Sequence, residues 1–154
     1  MHESKQRSAD DQTTTWAVFL ESLETIKRLN EEQGNATFGV NQFSDMTDEE
    51  FGQMFPSASL DILKGFEPFE SPSFHQIPEM WNYKGGILKV NRQFAPNDID
   101  HFVLVVGYGT ENGEKYWILK NSWGTQWGVF GFMYLERGTN QLNIGHAATY
   151  PVLP

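Results

Sequence analysis

Near the start of the chain, apolar side chains recur at three- and four-residue steps. Trp16, Phe19, Leu20, Leu23, Ile26 and Leu29 fall on one face of a helix. Asp10 or Asp11 offers an N-cap, and Gly34 a stop. A second helix start is sharper. Thr47 and Glu50 have capping-box spacing, and Met46 with Phe51 can form a hydrophobic staple around them. Between the two helices, Phe38 to Asp45 alternates in polarity and predicts a short strand. The pattern then changes. Phe55 to Pro78 is rich in Pro, Ser and Phe without a period, and reads as an extended connector. Beyond it come short β-branched and aromatic runs: His101 to Tyr108, Tyr116 to Lys120, Gly131 to Glu136 and Ala147 to Tyr150. Asn112-Gly113, between the first two, is a tight-hairpin pair. The expected class is α+β, a small helical segment followed by an antiparallel sheet or partial barrel. The expected divisions are residues 1–55 (helical), 56–80 (connector) and 81–154 (β).

Composition narrows the reading. The chain has 154 residues, 39% hydrophobic and 20% charged, which is globular rather than disordered. No apolar run approaches the ~18 residues of a spanning helix, so no membrane partner of that kind is expected. Net charge is −9. It is uneven: residues 1–80 hold 5 basic and 15 acidic side chains, residues 81–154 hold 6 and 5, and the seam lies near Trp81. An acidic chain repels phosphate, which argues against nucleic acid and anionic membrane surfaces as partners. Cysteine is absent, which excludes disulfides, thiolate nucleophiles and Cys-ligated zinc. Asp98, Asp100 and His101 lack the glycine and distal Glu of a calcium loop and read as a polar turn. His2, His75 and His146 have no ligand spacing. No metal or cofactor is therefore expected. Met1 to Asp10 is polar, without the apolar core of a signal peptide, so the sequon Asn35-Ala36-Thr37 carries no expectation of a glycan.

The hairpin has a chemical consequence. With Asn112-Gly113 as a two-residue turn, Glu111 faces Glu114, Leu104 faces Asn121 and His101 faces Gly124. His101 and Asn121 then sit near the same open end, offset by about three residues or ~10 Å, a gap that a bulge or longer loop would close. A histidine beside an amide is a recurring catalytic pair, because the amide holds one ring nitrogen and fixes the tautomer that the other presents. Taken alone, a histidine at a strand start is more often a surface or satisfied residue.

His101-Phe102-Val103-Leu104-Val105-Val106-Gly107-Tyr108-Gly109, Tyr116-Trp117-Ile118-Leu119-Lys120-Asn121-Ser122-Trp123-Gly124, Trp127-Gly128 and Gly131 together resemble the C-terminal part of papain-family cysteine peptidases of the cathepsin L type. Ala147 to Pro151 is similar to the family's ending. The resemblance implies a general base at His101, its orienter at Asn121, and a shield over the amide at Trp123. The first segment resembles the family's inhibitory propeptide. Gly39, Asn41, Phe43 and Asp45 match one propeptide motif in full, and Phe19, Ile26 and Asn30 fit the spaced helix motif. Asp11, Thr15 and Ser22 stand where that motif has Glu, Arg and Asn, so its buried charge pair cannot form.

What the resemblance finds missing matters more. Family members carry a catalytic Cys on a long helix in a mostly helical lobe. This chain passes from propeptide, through Ile77-Pro78-Glu79, almost directly into the late β lobe. Two registers are open for the stretch that follows. The favoured one sets Tyr83 to Ile87 shortly before the histidine. The other aligns Trp81 to Gln93 with the segment before the missing Cys and makes Gln93 an oxyanion-hole glutamine. Leu142 and Asn143 replace the family's usual Cys-Gly, which removes a structural disulfide. Ser122 has no nucleophilic role in the family. His101 and Asn121 are thus a vestigial base and orienter with no sulfur to activate.

Three functions follow. One is a propeptide-like inhibitor whose partner is a papain-family peptidase, with Phe66, Phe69 and Phe74 as candidate anchors of a tail crossing the target's cleft. The second is a fragment or splice form without selected activity. The third, ranked last, is an active peptidase with a nucleophile from elsewhere. Family members work in lysosomes or outside cells. In them the propeptide docks on a loop before the histidine. That loop is largely missing here, so the sequence leaves open whether the two segments pack together.

Overall fold

The computed structural model describes residues 9–55, 77–90, 101–145 and 148. Its first element is helix α1, Ala9–Glu32. The helix is already formed at Ala9, so Asp10 and Asp11 lie inside its first turn rather than at its cap. Its apolar stripe is divided. Ile26 and Leu29 are buried, whereas Trp16, Leu20 and Leu23 are exposed.

Strand β1 is Ala36–Phe38, not the Phe38–Asp45 stretch that alternation predicts. Residues 42–45 are turn. Local side-chain bonds explain the difference. Asn41 Oδ1 accepts from the Phe43 N–H at 2.9 Å, and Ser44 Oγ accepts from the Asn41 N–H at 3.0 Å, which offers the backbone an alternative to a strand ladder. Asn30 fixes β1 beside α1. Its amide donates to the Phe38 carbonyl and accepts from the Phe38 N–H, both at 2.9 Å, as a neighbouring strand would. Helix α2, Asp48–Met54, starts as the spacing predicts, with the Thr47/Glu50 capping box closed and three acidic residues in its first turn.

The predicted connector ends in structure. Pro78–Trp81 forms the short helix α3, with Pro at its start, and Ile77 and Met80 enter the core. The rest of the connector, Phe66, Phe69 and Phe74 included, lies outside the described residues, as do Gln93, Asp98, Asp100, His2, His75 and His146. The predicted strand over Ala147–Tyr150 also lies outside them, except for Ala148.

Four more strands follow: β2 Tyr83–Leu88, β3 Leu104–Glu111, β4 Glu114–Lys120 and β5 Phe132–Glu136. The sheet order is β1-β2-β5-β4-β3. The α+β class holds. Within the sheet, β2 runs parallel to β5 and every other pair is antiparallel, so the sheet is mixed.

The order of strands answers the question the sequence left open. The propeptide-type segment supplies β1, an edge strand of the same sheet, so the two segments pack together. Tyr83 to Leu88 provides the docking strand. Gly86 makes the approach possible: at φ +76°, a Cβ there would sit 2.1 Å from the Asn35 carbonyl oxygen. Asn35 Nδ2 also reaches both Glu114 carboxylate oxygens at 2.7 Å, and Lys89 Nζ lies 3.0 Å from Glu114 and 3.4 Å from Glu136. The hydrogen bond to Glu114 holds the Lys89 pKa above its usual value.

One core joins the segments. Ile26, Leu29, Phe38, Phe43 and Phe51 pack with Met80, Tyr83, Leu88, Leu119, Trp123, Trp127, Met133 and Leu135. Tyr83 is wholly buried. Its hydroxyl donates to the Gly86 carbonyl at 2.7 Å and accepts from the Tyr134 N–H at 3.1 Å. Burial raises its pKa to about 12, so it stays a phenol. Phe51, 1% exposed, stacks on Trp81 at 4.7 Å between ring centroids. Truncating it leaves a cavity between the segments. Phe51→Ala is expected to lower unfolding free energy by about 3–5 kcal/mol, while Met54→Ala on the exposed side of α2 costs under about 1 kcal/mol. Chemical denaturation of the two variants checks this. Equal, small losses would contradict the packing.

Candidate functional site

The site forms where β3 and β4 end. Glu111 does face Glu114 across the Asn112-Gly113 turn. Further along, Val105 pairs with Leu119 but Gly107 with Ile118, so Val106 is the extra residue of a bulge. Leu104 therefore faces Lys120, not Asn121, and the offset between His101 and Asn121 shrinks by one residue. His101 to Val103 precede the strand rather than belonging to it. With the bulge, the imidazole reaches the amide: His101 Nε2 and Asn121 Oδ1 are 2.9 Å apart.

The orientation of the amide follows from its other bond. Asn121 Oδ1 also accepts from the Ser122 N–H at 2.7 Å, so the oxygen must be the atom facing both groups. An acceptor there requires the hydrogen on His101 Nε2. Nδ1 is then the nitrogen with the lone pair. Ser122 is exposed and enters the pair through its main chain. Asn121 is 8% exposed, and its Nδ2 has no hydrogen-bond partner among the described residues.

Trp123 lies across the histidine, with ring centroids 5.3 Å apart and planes 33° apart. The same indole meets Phe43 at 5.7 Å, Phe51 at 5.1 Å and Phe55 at 6.0 Å from the propeptide-type segment, and Trp127 at 5.0 Å. Gln42 Nε2 donates to the Trp123 carbonyl at 3.0 Å. Asn41 Nδ2 donates to the Trp81 carbonyl. Neither Gln42 nor Trp81 stands out in the sequence as a site residue. Gln42 lies between the motif residues Asn41 and Phe43 without being one of them, and Trp81 sits in the stretch whose register is open.

Comparisons with known proteins identify both segments. The family model described as papain family cysteine protease matches residues 57–152, and the cathepsin propeptide inhibitor domain matches residues 2–51. The chain belongs to the papain family of cysteine proteases. "Cysteine proteinase 3" of Solanum lycopersicum is 35% identical over 97 residues, covering 63% of this chain and 24% of that protein. "Pro-cathepsin H" of Mus musculus is 41% identical over 97 residues, covering 62% and 29%. The chain thus spans about a quarter of the length of these curated relatives. Among solved structures, digestive procathepsin L 3 of the Tenebrio molitor larval midgut aligns with a TM-score of 0.71 at 18% identity, over 99% of this chain and 95% of that one. At that identity the likeness speaks for the fold.

No cysteine stands anywhere in the sequence. The site therefore offers a held imidazole, an exposed hydroxyl and no thiol. Burial is the main influence on His101 and lowers its pKa below the ordinary 6.5, against the Asn121 bond that favours the charged form. With the folded pKa below the unfolded one, the unfolded chain binds more protons in between. Stability from this group is complete above about pH 6.5 and is lost as pH falls through 6.5 toward the folded pKa. Proton NMR titration of the His101 ring is expected to give a pKa below 6.5. Asn121→Asp sets a carboxylate on the ring and is expected to raise that pKa by about one unit or more. An unshifted wild-type value with no response to Asn121→Asp would contradict the contact.

Proposed function

We propose that the chain is a proteolytically inactive papain-family homologue whose propeptide-type segment is a binding module for papain-family cysteine peptidases. The inactivity reading rests on one observation: a general base and its orienter lie in contact while the sequence contains no cysteine. Cys–His chemistry needs a thiolate that the imidazole activates, and the remaining hydroxyl nearby belongs to Ser122, a residue with no catalytic part in the family.

Support for the binding reading comes from the first segment. It keeps the propeptide motif at Gly39, Asn41, Phe43 and Asp45, and it adds β1 to a sheet edge through main-chain pairing. Phe43, Phe51 and Phe55 supply aromatic anchors of the kind that dominate interfaces. Its acidic surface favours encounter with less acidic partners. In this chain the anchors already lie on Trp123, so a target enzyme has to displace an internal contact. That predicts slow-onset inhibition rather than instant block.

A second reading, a fragment without selected activity, draws on the exposed apolar residues Phe102, Leu104, Val105, Val106 and Phe130. Titration of the full chain into a cathepsin L-like enzyme separates the two readings. Inhibition between nanomolar and micromolar, developing with preincubation, is expected. None at tens of micromolar would overturn the binding reading. An active-site-directed epoxide or vinyl sulfone is expected to leave the chain unlabelled, and stoichiometric labelling of pure protein would overturn the inactivity reading.

A further inference from the structure

We propose that the outer edge of β3 is a homodimer interface, where a second copy of the chain pairs antiparallel about a two-fold axis at Tyr108. The sheet would then run continuously through both copies. The proposal is independent of the peptidase-binding reading and uses a different surface.

β3 is the last strand in the sheet order, and among the described residues its one strand partner is β4. It is also the longest strand of the sheet, eight residues. Natural edges of that length are usually blunted by Pro or by charge. Between Leu104 and Thr110 there is neither. The side chains are apolar and uncovered: Leu104 is 62% exposed, Val105 46%, Val106 49% and Tyr108 71%. Unpaired main-chain groups flanked by such residues are a template for another strand.

Charge selects a second copy as that strand. The segment holding 15 acidic and 5 basic residues contributes β1, at the far end of the sheet. The nearly neutral segment contributes β3. Two copies meeting at β3 keep their acidic segments apart, whereas any meeting through the β1 end brings them together. The register adds a specific match. With Tyr108 opposite Tyr108 of the second copy, and Val106 left out of the count as the bulge residue, Leu104 lies opposite its Glu111. Leu104 is itself paired with Lys120 on β4. Glu111 of each copy therefore aligns with Lys120 of the other, about 10 Å apart in backbone terms across two strand spacings. The two-fold axis makes this match twice. Opposite-charge pairs of this kind set register and partner more than affinity.

Sedimentation equilibrium of the full chain, from about 1 to 100 µM, tests the idea. A monomer–dimer equilibrium is expected. Val106→Lys and Glu111→Lys are each expected to weaken it at least about tenfold. Combining Glu111→Lys with Lys120→Glu restores the match and is expected to recover most of the loss. Melting temperatures near wild type confirm that the variants fold. Should Val106→Lys melt early, Thr110→Lys places the charge on the regular part of the strand. A monomer at every concentration would overturn the proposal. So would a dimer that ignores the β3 and Lys120 substitutions, or one that Leu20→Lys dissolves instead, since Leu20 lies on the exposed stripe of α1.

Discussion

The structure turns on the indole of Trp123. It is 3% exposed, with three phenylalanines of the propeptide-type segment around it and Trp127 behind it. Edge-to-face aromatic contacts of this sort contribute about 0.5–1.5 kcal/mol each beyond the area they bury. Gln42, from the propeptide-type segment, adds a hydrogen bond to the Trp123 carbonyl. β1 is three residues long and holds little by itself. The main-chain ladder sets the register of the docking, and the aromatic cluster, with Ile26, Leu29 and Phe38 in the same core, buries the apolar surface that stabilises it.

The same indole covers His101, which couples docking to the site. A residue that packs the propeptide-type segment on one side excludes water from an imidazole on the other. The depressed pKa of His101 is the electrostatic sign of that exclusion. The site thus holds an imidazole against an amide in a sequence that contains no thiol. The same packing that docks the propeptide-type segment holds His101, Asn121 and Trp123 together.

Much of this was legible in the sequence, and unevenly. The Thr47/Glu50 capping box and the Asn112-Gly113 turn are local signals, and both appear where their spacing places them. His101 and Asn121 were recognisable through the family motif, but their contact depends on a bulge at Val106 that no turn signal marks. Phe38 to Asp45 alternates without forming a strand over its length, because the side-chain bonds of Asn41 and Ser44 compete with strand pairing. The α1 stripe is continuous in sequence, yet of its six residues only Ile26 and Leu29 are buried, because periodicity marks a face and not what covers it. The parallel β2–β5 pair was out of reach of local pattern altogether, since it joins residues nearly fifty positions apart.

If docking through Trp123 makes one cooperative unit of the two segments, helix and sheet must be lost together. Equilibrium denaturation of the full chain, followed at once by far-ultraviolet ellipticity and tryptophan fluorescence, tests this most directly. Coincident transitions with the same midpoint and slope are the predicted result. Loss of helical signal at clearly lower denaturant, with the tryptophan environment still native, would show the segments to be separate and contradict the account.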